Sequence, residues 1–206
     1  MAPPQKKGYC CMKVKKSLSL LLCTALALAL LAGCSKKSAG GSSGSASGSG
    51  SAAGGPFSSF TADTLDGGTF SQDEIQAKDL TIINFWGMFC NPCRAEMPDL
   101  AAYAKALPDN VQLITICIDA LDDLEGTQEF LDSCGYEGVT LVNGDETFIS
   151  IASTIQAFPT TVFVNSQGEI VGDTIEGNWG NLAESYTEAA NKVLKAEGKA
   201  EFSLEE

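Results

Sequence analysis

Two cysteines three residues apart, Cys90 and Cys93, stand between a β-branched apolar run and an amphipathic helical pattern. The order Ile82-Ile83-Asn84-Phe85-Trp86-Gly87-Met88-Phe89-Cys90-Asn91-Pro92-Cys93-Arg94 puts both thiols where a strand ends and a helix begins. A thiol at a helix N-terminus faces unpaired backbone N–H groups and the positive end of the macrodipole. Both favour the thiolate, which is the reactive form. Cysteines spaced i, i+3 in a first turn can also close a small disulfide. The chemistry implied is thiol–disulfide exchange. Cys90, first in the motif and nearer solvent, is assigned the attacking role, and Cys93, one turn in, resolves the mixed disulfide. A buried structural disulfide is the plain alternative. Pro92 pre-sets helical φ where its missing N–H costs nothing.

Half a zinc site is the other bland reading of Cys-x-x-Cys. Zinc needs four ligands, and this chain has no His and no second such motif. With the aromatic strand exit in front and Pro92 between the cysteines, the segment resembles the active site of the thioredoxin superfamily. The longer string from Phe85-Trp86-Gly87 through Cys93-Arg94-Ala95-Glu96-Met97-Pro98 is most similar to the TlpA/ResA branch. Members of that branch are membrane-tethered extracytoplasmic thiol–disulfide oxidoreductases. The likeness covers roughly residues 57–195, and is strong at the cysteines and at one distant proline.

The elements that must position the pair follow from periodicity and punctuation. Phe57 to Phe70 alternates, with Asp66-Gly67-Gly68 as a turn, and predicts an N-terminal hairpin. Ser71 with Glu74 forms a capping box for a short helix to Ala77. Leu80 to Phe85 and Val111 to Ile118 read as buried strands. Pro92 to Leu107 reads as a helix with Met97, Leu100, Ala101, Ala104 and Leu107 on one face and a kink at Pro98. A helix over Leu124 to Cys134 ends at Gly135, and Val139 to Val142 is a short strand. Asp145 caps a helix bearing Phe148, Ile151, Ala152 and Ile155. Thr160 to Val164 and Glu169 to Ile175 form a hairpin. Leu182 to Ala196 closes the domain with Leu182, Tyr186, Ala189, Val193 and Leu194 inward. The expected fold is α/β and thioredoxin-like: a mixed central sheet, helices on both faces, and an N-terminal β-hairpin extension.

The N-terminal third is not domain material. Lys13, Lys15 and Lys16 precede an apolar run from Leu18 to Ala32, which ends in Leu31-Ala32-Gly33-Cys34. Residues 1–33 read as a signal peptide, with Met12 a more ordinary start than Met1. The Leu-Ala-Gly-Cys ending resembles the bacterial lipobox, which implies that Cys34 carries lipid. An uncut transmembrane anchor is the alternative, and the run is short for one. Residues 34–55, almost wholly Ser, Gly and Ala after the two lysines, read as a flexible tether with a reach of roughly 25 Å. Residues 56–200 form the expected domain and 201–206 a tail. After Cys34 there are 8 basic against 26 acidic residues, a formal charge of −18. Such a chain is repelled by nucleic acid and anionic lipid. Solubility explains this balance, and steering toward a basic partner is the sharper account.

The resemblance implies further site residues. Phe158-Pro159-Thr160-Thr161 stands where thioredoxin-like proteins place a cis proline against the cysteine pair, with exposed backbone that pairs with substrate. Asn84 departs from thioredoxins proper, which carry a buried Asp there. Asp119, at the exit of the next strand, stands where ResA-like members carry a carboxylate near the thiols; a loop acid or helix cap is its plain reading. Glu96, one turn after Cys93, is a second candidate proton acceptor, with a solvated helix residue the simpler expectation. Arg94 would favour thiolate slightly. Trp86, Phe89, Asn91, Pro92, Phe158 and Thr160 are the candidate substrate contacts, with core packing the alternative for Trp86 and Phe89.

Cys117 and Cys134 are expected to be unbridged. The helix between them carries the chain roughly 16 Å back along the sheet, which leaves their Cα atoms beyond the limit of about 7 Å for a disulfide. Together these features point to a lipid-anchored thiol–disulfide oxidoreductase on the outer face of a bacterial cytoplasmic membrane. It needs no cofactor beyond the redox-active Cys90–Cys93 disulfide and no metal, and is expected to be monomeric. Its clients are protein disulfides, and the resemblance implies a membrane electron donor of the CcdA/DsbD kind. The alternatives are a thiol oxidase of the same fold and a non-catalytic surface binding module.

Overall fold

The computed structural model describes residues 54–177 and 180–204. The signal peptide, the alternative start at Met12, Cys34 and the tether to residue 53 lie outside the described residues. A seven-stranded mixed sheet in the order β2-β1-β5-β4-β3-β6-β7 organises the domain. The hairpin is β1 (Thr61–Thr64) with β2 (Thr69–Ser71), turned through Gly67 at φ +85°, a conformation that costs glycine little. Helix α1 (Gln72–Gln76) starts on the expected box: Ser71 Oγ accepts from the Asp73 N–H, and Glu74 Oε2 accepts from the Ser71 N–H at 2.8 Å.

Strand β3 (Leu80–Trp86) is buried at every position because it is covered on both faces and both edges. It pairs parallel with β4 (Val111–Cys117), from Leu80 opposite Val111 to Trp86 opposite Cys117. On its other side it pairs antiparallel with β6 (Thr160–Asn165), which continues into β7 (Ile170–Glu176). Strand β5 (Thr140–Gly144) runs parallel to β4 and antiparallel to β1.

The period of two along β3 and β4 divides the core. Leu80, Ile82, Trp86, Val111, Leu113 and Cys117 face one side, where they meet α2 (Asn91–Ala106), α3 (Leu124–Cys134) and α5 (Leu182–Ala196). Ile83, Phe85, Ile114 and Ile116 face the other side, with Phe57, Phe60, α1 and α4 (Glu146–Ser153). Each such side chain taken from water contributes roughly 1.5–3 kcal/mol. Asn84 shares its face with Ile82 and Trp86, so the same alternation that builds the core aims a polar amide at α2.

Helix α2 continues through Pro98, as expected, and ends at Ala106, one residue before the expected end. Pro98 is exposed, so the carbonyl it leaves without an N–H partner sits on the water side. On α5 the wholly buried alanine is Ala190, with Ala189 half-buried beside it. Residues 201–204 are docked: Asn191 accepts from the Phe202 N–H at 2.9 Å and donates to its carbonyl at 2.7 Å, while Phe202 and Leu204 pack on the core.

Candidate active site

Strand β3 ends at Trp86, and a tight turn closed by Cys90 N–H to Gly87 O (3.0 Å) delivers Cys90 to the N-cap of α2. Its sulfur accepts from the Cys93 N–H at 3.3 Å, an orphan donor of the helix start. The two sulfurs are joined in a disulfide, with Cα atoms 5.3 Å apart. Cys90 retains 6% exposure and Cys93 none, so an incoming disulfide meets Cys90 first. Asn91 and Pro92 are exposed beside it. Arg94 lies with its guanidinium 5.1 Å from the centre of the Phe130 ring.

Asp119 follows β4 and clamps the turn. Its Oδ1 accepts from the Met88 N–H at 2.8 Å and its Oδ2 from the Phe89 N–H at 3.1 Å. The Cys117 thiol donates to Oδ1 at 3.3 Å. Both carboxylate oxygens are therefore engaged in positioning the segment that carries Cys90. Burial, reinforced by the Asp119 carboxylate, pushes the Cys117 thiol up to about 12. Cys117 and Cys134 are both free, as expected.

The Phe158–Pro159 bond is cis, and Pro159 is buried. The Phe158 ring meets the Phe89 ring edge-on at 5.9 Å, which brings this loop against the residue preceding Cys90. Two candidate contacts must be corrected. Trp86 is wholly buried and packs on Phe130 at 5.7 Å, because its place in the strand period faces α2 and α3. Thr160 is 3% exposed; its hydroxyl donates to Ala157 O at 2.9 Å and its backbone pairs with Phe85 and Glu176.

Glu96 also departs from expectation. It is 2% exposed, not solvated, and its Oε1 accepts from Asn84 Nδ2 at 3.2 Å. Burial raises its carboxyl to about 7, against the pull of the Asn84 amide, with Asp99 adding to the rise. Asn84 Nδ2 also donates to Thr161 Oγ1 at 3.0 Å, and that hydroxyl lies 2.6 Å from the Tyr186 hydroxyl. The signal was in the chain: Glu96 falls within the i, i+3, i+4 stripe of Cys93, Met97, Leu100 and Ala101. A carboxylate in that stripe one turn after Cys93 must be buried with it. The site thus holds an accessible sulfur, a buried sulfur and a buried carboxyl that titrates near neutrality.

A family model described as the AhpC/TSA family matches residues 53–172. The chain belongs to the AhpC/TSA family. The sequence is 28% identical to the thiol-disulfide oxidoreductase ResA of Halalkalibacterium halodurans, over 70% of this chain and 78% of that one. It is 23% identical to the ResA of Bacillus subtilis, over 55% of this chain and 62% of that one. Among solved structures, StoA from Bacillus subtilis matches with a TM-score of 0.51 at 25% identity, covering 63% of this chain and 93% of that one. A thioredoxin-family thiol:disulfide interchange protein from Chlorobium tepidum matches with a TM-score of 0.57, over 70% and 99%, and at 22% identity it speaks for the fold alone. This member of the AhpC/TSA family is a thioredoxin-like thiol–disulfide oxidoreductase working through the Cys90–Cys93 dithiol.

Proposed function

We propose that the protein donates electrons to disulfides in envelope or secreted proteins. In this reading it is held by lipid on Cys34 at the outer face of a bacterial cytoplasmic membrane, and a membrane electron donor of the CcdA/DsbD kind recharges it. The observation that carries the proposal is the asymmetry of the pair, Cys90 accessible at the N-cap and Cys93 sealed behind it. In the reduced protein the Cys90 thiolate attacks one sulfur of a client disulfide. That S–S bond breaks, a mixed disulfide forms, and the departing client thiolate takes a proton from water. Cys93 then loses its proton to the Glu96 carboxylate and attacks the Cys90 sulfur. The client leaves as its second thiolate, two electrons have passed to it, and the Cys90–Cys93 disulfide remains.

The donor direction draws support from charge. Above neutrality Glu96 is an anion one helical turn from Cys93, and it opposes a second negative charge there. Destabilising the dithiolate favours the disulfide form and so makes the dithiol a better reductant.

Insulin reduction by the purified protein tests catalysis, with Cys90→Ser expected to abolish it and Cys93→Ser to accumulate mixed disulfides. A binding module without activity would leave insulin intact. Equilibration with glutathione tests direction: a potential near about −270 mV supports donation, and one near about −120 mV would reverse the assignment to client oxidation.

A further inference from the structure

The edge of the sheet that carries Cys90 is fringed by apolar side chains that the fold leaves open. Phe89 is 64% exposed, Ile118 41%, Leu121 59% and Leu124 44%. Single exposed leucines need no explanation, but these four belong to one surface. The Ile118 N–H donates to Trp86 O at 3.0 Å, at the start of the cysteine turn. Asp119 holds the Met88 and Phe89 N–H groups. From there the chain turns tightly through a 3-10 turn (Ala120–Asp122), closed by Asp122 N–H to Asp119 O at 3.1 Å. Ala120 is buried beneath, so Leu121 stands outward, followed by Leu124 at the start of α3.

Charge on this lip has one sign. Asp122 and Glu125 are exposed between and beside the leucines. From Ala106 to Asn191 the sequence contains no Lys, Arg or His, while it contains fifteen Asp and Glu. Near the pair the one cation in sequence is Arg94, and it is seated on Phe130.

We propose that the Phe89–Ile118–Leu121–Leu124 lip is a docking surface for a client segment whose target half-cystine is flanked by apolar residues and by Lys or Arg. The proposal rests on the disulfide-exchange reading, since such a segment must cover the surface next to Cys90 to reach its sulfur. Apolar residues of the client bury the lip, and its cations face Asp122 and Glu125. A second copy of this chain would set the same anions against themselves, and an anionic lipid surface would be repelled.

The test uses the reduced full-length protein and disulfide-linked peptide dimers that differ only in the residues beside Cys. Lys-Leu flanks should be reduced about tenfold faster than Glu-Leu flanks at low salt, and the gap should shrink at high salt. Leu121→Ser with Leu124→Ser should bring the Lys-Leu rate down to that of Lys-Ser flanks. Asp122→Lys with Glu125→Lys should invert the preference between Lys-Leu and Glu-Leu. Hydroxyethyl disulfide, neutral and small, should react equally with all these proteins. Equal rates for Lys-Leu and Glu-Leu, or no loss in the double-Ser protein, would overturn the proposal. So would a dimer in sedimentation that the double-Ser change dissolves, since the lip would then be a self-interface. Failure of the unaltered protein on hydroxyethyl disulfide would instead sink the redox reading itself.

Discussion

The carboxyl of Glu96 and the amide of Asn84 meet at 3.2 Å between α2 and β3, with Asn84 wholly buried and Glu96 almost so. The opposite face of that amide is unused: Asn84 Oδ1 is buried and has no hydrogen-bond partner among the described residues. A protonated Glu96 becomes a donor, and an amide turned over would offer it that oxygen. The pair can therefore serve both charge states of the acid.

Stability should fall as pH rises across this acid's range. Glu96 titrates at about 7 in the fold against 4.5 when free. Between those values the native state holds a proton that the unfolded chain has released, so stability declines from about pH 4.5 to 7 and levels off above. The drop is on the order of 3 kcal/mol. Glu96→Gln should remove the slope and leave the protein more stable at pH 8 than the unaltered chain. Urea unfolding at pH 5, 7 and 8 checks this. The same variant should slow resolution of the mixed disulfide and erase the inflection near pH 7 in its rate.

Asp119→Ala should loosen the cysteine turn without unfolding the domain. Two N–H groups lose a charged acceptor, a cost of about 1–2 kcal/mol because water can reach them. The reactivity of Cys90 should change as its helix-start geometry relaxes, read from the pH dependence of iodoacetamide alkylation. Asp119→Asn, which keeps one acceptor oxygen, should recover part of the effect. An unchanged Cys90 profile in both variants would remove Asp119 from the site.

Cys117 should resist alkylation in the native protein while Cys134 reacts. Cys117 is sealed, and its thiol is pushed up to about 12. Cys134 is half-buried at the end of α3. Thiol counting on the oxidised, denatured protein should find two free thiols besides Cys34; none would mean a second disulfide.

Membrane attachment should depend on Cys34. Cys34→Ala should prevent lipid attachment and signal peptidase II processing, with mass spectrometry of the mature N-terminus as the check. An unmodified N-terminus within the Ser/Gly tract would mean plain secretion.

Periodicity located the elements well because both faces of the sheet are covered. Runs such as Leu80–Trp86 and Val111–Cys117 are apolar wherever they must be, and Ser71, Asp145 and Gly135 punctuate the helices by direct hydrogen bonding or by φ. The cysteines were legible for the same reason, since strand, turn and helix start appear in order along the chain. What escaped is set by neighbours distant in sequence. Trp86 is core because Phe130, 44 residues on, lies over it. Asp119 is a clamp because its partners lie 30 and 31 residues away. The helical stripe argues for burial of Glu96, but a carboxylate is costly to bury alone, and its partner Asn84 lies twelve residues earlier, on β3. The docking of Phe202 depends on Asn191, whose amide gives no sign in the sequence that it will grip a backbone.

The place where the chain enters the domain fixes an orientation. The Phe57 N–H donates to Gly168 O at 2.9 Å, and Gly55 N–H reaches Gln167 O, so the entry is stitched to the β6–β7 turn. That turn follows Asn165, which is paired with Leu80 at the start of β3, whereas Cys90 follows the end of β3. Seven residues of strand set these two poles roughly 23 Å apart. The described chain thus enters the domain at the pole of the sheet opposite the reactive sulfur, so the entry and Cys90 face away from each other along β3.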